Sequence, residues 1–378
     1  MKANVYTDAS LERYAGRFVW LSINTEEAKN AAFLKRYPIP ALPTLLVLDP
    51  KRDEVALRYV GGATTPQLRK LLDESERTVR ARALSAADTL LGKADRLASD
   101  GKHAEAAKAY DEAIAASPRS WKNLGRTSES LVFSLAMAEE QERCATRAQA
   151  LFPRVKGTSS AGNVAATGLS CAAALDKQNG KRRDLLVKLE HATRETFDNR
   201  KIVMSDDDRS GLYLALIEAR DAAGDDEGVV KLKHEWSTFL EGAAASAKTA
   251  EQRAVYDSHR ISAYLELGTP EKALPMLEES ERDFPSDYNP PARLALAYKA
   301  MKDYDRALAA SDRALARAYG PRKINVYSVR SDIYKEKGDK EGAKEVIRQA
   351  IAFAKTLPEE QRRDQRVASL EKRLAGME

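Results

Sequence analysis

Cysteine, histidine and grouped carboxylates are the side chains that could carry redox, nucleophilic or metal chemistry. This chain spaces them poorly for all three. Its two cysteines, Cys144 and Cys171, lie 27 residues apart. Neither has a neighbour at the C-x-x-C spacing that activates a thiolate at a helix N-terminus. The four histidines, His103, His191, His234 and His259, are scattered. None shares a helix face with a second histidine and a carboxylate, as a zinc hydrolase requires. The run Ser205-Asp206-Asp207-Asp208 offers carboxylates for a cation. It reads better as an N-cap followed by acids on the positive end of a helix dipole. No glycine-rich phosphate loop, nucleophile elbow or spaced carboxylate pair is visible. The expectation is no catalytic residue, no metal ligand and no cofactor. Cys144 and Cys171 keep two readings. They are buried small residues, which is preferred, or a disulfide if their Cα atoms come within about 7 Å.

The elements that would position any site follow from composition and pattern. Hydrophobic residues make up 43% of the 378, too many for a disordered chain. No stretch approaches the roughly 18 apolar residues of a membrane-spanning helix. Lys and Arg total 62 against 57 Asp and Glu, a formal charge of +5 that is spread along the chain. A nucleic-acid binder clusters its basic charge, so nucleic acid is not an expected partner. Two cysteines exclude a disulfide-stapled scaffold. Met1 opens no charged-then-apolar leader, so the location expected for the chain as it stands is cytoplasmic.

The first 80 residues alternate between strand and helix patterns. Residues 17–23 form a short apolar run and read as a buried strand. Thr25 offers an N-cap, Glu26 and Glu27 suit a first turn, and the helix should run to about Arg36, before Pro38. Residues 44–48 and 54–60 read as two more strands around the turn 49–53, closed by Gly61-Gly62. Thr64-Thr65-Pro66 opens a helix.

That order, with Tyr37-Pro38-Ile39-Pro40-Ala41-Leu42-Pro43-Thr44 in its middle, resembles the C-terminal two-thirds of a thioredoxin-like domain. The resemblance covers roughly residues 4–77. It implies a cis proline at Pro43 and a backbone at Leu42 that binds extended substrate. The family's first strand and C-x-x-C have no counterpart here, and no cysteine occurs in residues 1–143. Without that strand, the runs 17–23 and 44–48 must pair directly or leave backbone groups unpaired. The preferred explanation is that Met1 is not the natural start; the other is a decayed domain that closed the gap. Bacterial proteins of this mixed type often carry an export signal ahead of such a module, so a missing N-terminus implies a periplasmic or exported protein.

Internal repeats organise the remaining residues. Starting at Ala87, residues Ala94, Leu97, Gly101, Ala106, Tyr110, Ala113 and Pro118 fall at positions 8, 11, 15, 20, 24, 27 and 32. Starts at Ala254, Tyr288 and Ile324 repeat the pattern with Tyr264, Gly268 and Ala273, with Tyr298 and Ala307, and with Tyr334, Gly338 and Ala343. These positions resemble the signature of the tetratricopeptide repeat. Small residues let paired helices approach, and glycine at position 15 supplies the turn. Clear units are expected near 87–118, 254–285, 288–319 and 324–355, with degenerate ones over 122–250 starting at Lys122, Ala166 and Ser210. Gly157-Thr158-Ser159-Ser160 and Asp198-Asn199-Arg200-Lys201 are expected loops, and Thr249 with Gln252 fits a capping box. Residues 359–378 carry Val367, Leu370 and Leu374 at helical spacing and read as a cap helix.

The expected fold is therefore mostly α. An α-solenoid of about seven tetratricopeptide-like hairpins (79–358) follows a small, incomplete α/β thioredoxin-like module (1–78), joined near Leu72–Ala87 where one helix runs on into the next. The repeat resemblance implies a concave, peptide-binding face. In the last three units it includes Ser258, Ser262, Asn289, Lys299, Asn325, Ser328, Asp332 and Lys335. The lysine-and-asparagine clamp for chaperone C-terminal carboxylates is absent. Positions 5 and 9 hold Leu91 and Asp95, Ser258 and Ser262, Ala292 and Leu296, Ser328 and Asp332. The functional expectation is a non-catalytic scaffold that binds a protein or peptide. The alternative is a thiol-disulfide oxidoreductase whose strand and C-x-x-C are missing from this chain.

Overall fold

The computed structural model describes residues 1–80, 84–362 and 364–377. Its elements, in order, are α1 (Ala31–Arg36), β1 (Thr44–Asp49), β2 (Glu54–Val60), α2 (Thr65–Arg80), α3 (Ala86–Ser99), α4 (His103–Ala115), α5 (Leu124–Met137) and α6 (Gln141–Val155). There follow α7 (Ser160–Ala173), α8 (Arg182–Asp198), α9 (Asp206–Ala223), α10 (Asp226–Ala245), α11 (Ala250–Ala254), α12 (Asp257–Glu266) and α13 (Ala273–Asp283). The chain closes with α14 (Asn289–Ala300), α15 (Tyr304–Arg317), α16 (Gly320–Lys337), α17 (Lys340–Lys355), α18 (Glu359–Arg362) and α19 (Asp364–Ala375). This is the expected class: successive helix pairs after a small sheet near the N-terminus. The chain divides into two compact units, Met1–Phe18 with Tyr37–Lys233, and Val19–Arg36 with His234–Glu378.

In the first unit β1 and β2 pair antiparallel, from Thr44 opposite Val60 to Asp49 opposite Glu54, with an irregularity between Val47 and Leu48. Leu57, Tyr59, Leu68, Leu71 and Leu72 bury one face of this hairpin under α2, with Tyr14 fully enclosed beside them. Thr64 and Gln67 cap α2 reciprocally, the Gln67 side chain accepting the Thr64 N–H at 2.8 Å. Helix α2 does not run on into α3. Leu84 and Ser85 are non-helical, and Ser85 caps α3 by accepting the Asp88 N–H; residues 81–83 of the expected join lie outside the described residues.

A buried ionic knot ties β2 and α2 to the first repeat helices. Arg126 of α5 reaches Glu74 at 2.6 Å and Asp95 at 2.9 Å, and Tyr110 donates to Asp95 at 2.7 Å. Burial works against the Arg126 charge, but Asp95 and Glu74 outweigh it and push the guanidinium's pKa up. Helices α3 to α9 then pack in sequence, each pair against the next. The three degenerate pairs begin at Leu124, Ser160 and Asp206. The last two start earlier than the expected Ala166 and Ser210, because their helices are long: α8, α9 and α10 have 17, 18 and 20 residues. Ser160, expected in a loop, is already helical.

The expected strand over 17–23 does not form. Residues 19–24 are irregular and pair with no strand among the described residues, and Val19 and Leu21 are 88% and 75% exposed. Among the described residues β1 and β2 pair only with each other, and no third strand receives the run. The helix expected from Thr25 to Arg36 shrinks to a 3₁₀ turn at Ala28–Asn30 and α1. Asn24 accounts for this: its side chain accepts the Glu26 N–H at 3.0 Å, and its carbonyl accepts from Asn30 at 2.7 Å, folding 24–30 into a turn.

In the second unit α12 to α17 form three stacked pairs whose core includes Tyr264, Leu277, Leu294, Tyr298 and Ile333. Thr249 caps α11 by accepting the Gln252 N–H at 3.3 Å, while the Gln252 side chain accepts the Lys248 N–H at 2.9 Å, one residue before the N-cap that the expected capping box requires. Val367 and Leu370 of α19 are buried against Ile347, Ile351 and Ala354. Residues 19–36 belong to this unit. Asn24 donates to the Tyr319 hydroxyl at 2.9 Å, Glu26 pairs with Arg322, and Gln361 donates to the Thr25 carbonyl at 3.1 Å. Gly320, at φ +53°, faces the Glu26 carbonyl so closely that a Cβ there would collide with it.

Candidate peptide-binding faces

The Leu42–Pro43 bond is cis, as the thioredoxin resemblance implied. The Pro43 carbonyl accepts the Gly61 N–H at 2.9 Å, and Leu42 is 58% exposed. No thiol faces this loop: the chain's two cysteines are bonded to each other.

The eight residues expected to line a groove in the last three repeats are all on first helices, but most are engaged within the unit. Ser262 and Ser328 donate to the carbonyls of Ser258 and Ile324, one turn back, at 3.0 Å each. Asn289 donates to Asp287 at 2.8 Å. Lys299 pairs with Glu336 at 2.7 Å. The cap helix takes two more: Arg373 pairs with Asp332 at 2.6 Å, and Arg366 donates to Asn325. Lys335 is exposed. The structure thus brings Asn325 and Asp332 together under α19 rather than around an open trough. The reading from repeat positions could not weigh the arginines of the cap helix.

An open trough lies instead among the degenerate repeats of the first unit. On α7, Asn163, Ala166, Thr167 and Ser170 follow i, i+3, i+4, i+7 and share one face. On α9, Asp207, Gly211, Leu214 and Glu218 form the facing row. The side chains at 166, 167, 170 and 211 are small, which leaves a cavity of about 370 Å³ between the helices. Asp207 and Glu218 are exposed and give it negative charge. The spacing was present in the sequence, but these runs read only as starts of degenerate repeats, beside an N-cap at Ser205 and a loop at 157–160.

Glu129 is buried beneath the trough, and the half-buried Asp208 lines it. Glu129 of α5 accepts from Asn163 at 3.3 Å, and Ser160 and Tyr59 also face it. Burial pushes its carboxyl up to about 7, against the opposing pull of those hydrogen bonds. Burial likewise pushes Asp208 up to about 6, although Ser205 donates to it. The preferred N-cap reading holds: Ser205 accepts the Asp208 N–H at 3.1 Å. Among the described residues no cluster of three or more potential metal ligands occurs.

The preferred reading of the cysteines is corrected. Cys144 of α6 and Cys171 of α7 form a disulfide with Cα atoms 6.1 Å apart. Their helices approach closely because small residues line the seam. Gly168 faces Ala148 so tightly that a Cβ at 168 would collide with the alanine. Both cysteines are buried, at 0% and 3% exposure, which explains why burial alone also fitted them.

The comparisons with known proteins agree with the repeat pattern at one place. The tetratricopeptide repeat family model matches residues 324–356, the α16–α17 pair. No curated protein sequence matches the chain. A solved structure described as the TPR2AB-domain:pHSP90-complex of yeast Sti1 is similar at 14% identity, covering 77% of this chain and 99% of its own, with a TM-score of 0.28. An overlap that slight fixes no detail of this fold and no ligand.

Proposed function

We propose that this protein is a non-catalytic interaction scaffold that holds an extended peptide segment in the α7–α9 trough. The observation that carries this reading is the pair of facing helical rows, small on α7 and acidic on α9, that leave an open, negatively charged channel. Polar groups at fixed spacing can hydrogen-bond an extended backbone, and Asp207 and Glu218 would select a basic side chain. The tetratricopeptide match at 324–356 supports the repeat reading at the α16–α17 pair. The row from Ser258 to Lys335 is a secondary face, usable where α19 leaves it.

The N-terminal module is read as a redox-inactive thioredoxin-like remnant, supported by the cis Leu42–Pro43 loop and the hairpin-then-helix order of 44–80. The oxidoreductase alternative would need a thiol from outside this chain, because Cys144 and Cys171 are bonded and buried. That disulfide favours an oxidising compartment over the cytoplasm. Among the described residues no helix is long and apolar enough to cross a membrane.

The test is a peptide-library selection against the full chain at low ionic strength, followed by fluorescence anisotropy. Enriched peptides should carry Lys or Arg, and Asp207→Asn with Glu218→Gln should weaken them at least tenfold. Unchanged affinity in that double variant removes the trough as the site.

A further inference from the structure

A second cavity of the first unit has the opposite charge. It opens where the C-terminal end of α4, the 116–123 loop, the start of α5 and one face of α6 meet, and it encloses about 710 Å³. That volume lies in the range of small-molecule sites. Ile114 and Leu124 give it an apolar floor, and Arg119, Arg147 and Arg154 line its walls.

Three guanidinium groups face one carboxylate there, and that carboxylate is already engaged. Asp111 pairs through one oxygen with Arg147 at 2.6 Å and through the other with Arg143 at 3.0 Å. Arg119 and Arg154 are exposed and make no hydrogen bond or ion pair among the described residues. The guanidinium fork is the side-chain group whose geometry matches an oxyanion. Arg147 and Arg154 are seven residues apart on one helix, so their stems lie two turns, about 10.5 Å, apart on the same face. With Arg147 pinned to Asp111, an anion with more than one acidic group can engage it and Arg154 together.

We propose that this cavity binds a small polyanion, a molecule carrying two or more phosphate or carboxylate groups. Arg147 is held beside Asp111 and contributes its positive charge to the wall, while Arg119 and Arg154 close on the ligand as free forks. The site shares no lining residue with the α7–α9 trough, so it stands or falls independently of the peptide-binding reading.

The test is isothermal titration calorimetry of the full chain with sodium tripolyphosphate at low ionic strength. One saturable site is expected, with affinity falling as salt rises. Arg119→Ala and Arg154→Ala should each weaken it at least fivefold. Both side chains are exposed, so the unfolding midpoint should stay at the wild-type value. Lys201→Ala removes an exposed positive charge elsewhere in the same unit and should leave binding unchanged. No saturable binding, or an equal loss in Lys201→Ala, overturns the proposal, the latter by reducing the effect to diffuse attraction.

Discussion

Lys302 occupies a backbone conformation that L-residues avoid, with φ at +61° in the turn between α14 and α15. The equivalent turn between α16 and α17 uses Gly338, at φ +92°. The left-handed region costs a side-chain-bearing residue roughly 1 kcal/mol. Lys302→Gly should therefore raise the denaturant midpoint and Gly338→Ala should lower it, each by about 1 kcal/mol. Shifts of the same sign would sink the argument.

Glu129 carries the second residue-scale prediction. Its carboxyl is raised from 4.5 to about 7 in the folded chain, so the folded state binds its proton more tightly than the unfolded state does. The stability this contributes is fully present below about pH 4.5, declines as pH rises towards 7, and is gone above it. Asp208, raised from 3.8 to about 6, adds to the decline over its own window. Glu129→Gln mimics the protonated form in front of Tyr59, Ser160, Asn163 and Asp208. It should match wild type in urea unfolding at about pH 4 and exceed it at pH 8 by about 3 kcal/mol. Parallel stability profiles for the two proteins would refute this.

At the scale of elements, the α6–α7 seam is the most constrained contact. A disulfide closing a loop of this size stabilises by about 3 kcal/mol in the chain-entropy account. Reduction, or the Cys144→Ala/Cys171→Ala pair, should lower the unfolding midpoint accordingly. Gly168→Ala pushes the same two helices apart and should cost about 1–3 kcal/mol by overpacking. Calorimetry with and without reductant checks both, and a Gly168→Ala protein as stable as wild type would mean the seam can relax.

The helix pairs were legible in sequence because their signals are local: alanines at fixed spacing, capping residues such as Thr249 and Ser205, and a glycine in the turn at Gly338. The strand over 17–23 was misread because an apolar run reports only that burial is desirable. Whether a partner strand exists is a property of the rest of the sheet. The candidate site was half legible. The row Ser258 to Lys335 follows from repeat position, but its occupation by Arg366 and Arg373 depends on where α19 docks. The trough at Asn163 and Asp207 needed two long helices to be placed side by side, which degenerate repeats do not announce.

At the scale of the whole molecule, each compact unit is assembled from two separate stretches of chain. The consequence falls on anyone dissecting it. A fragment cut between repeats, after α10, at 246–378, would carry Arg322, Tyr319 and Gln361 without the Asn24, Thr25 and Glu26 that meet them. Such a fragment should melt earlier than the same repeats in the full chain. A synthetic peptide spanning 19–36, added in trans, should restore part of the loss by mass action, and the same peptide with Glu26→Gln should restore less. Recovery by both peptides alike would show that the segment docks without its ion pair. No recovery by either would show that covalent tethering is what holds it. A gene split at a domain boundary drawn from the repeats alone would therefore orphan a ligand that the protein supplies to itself.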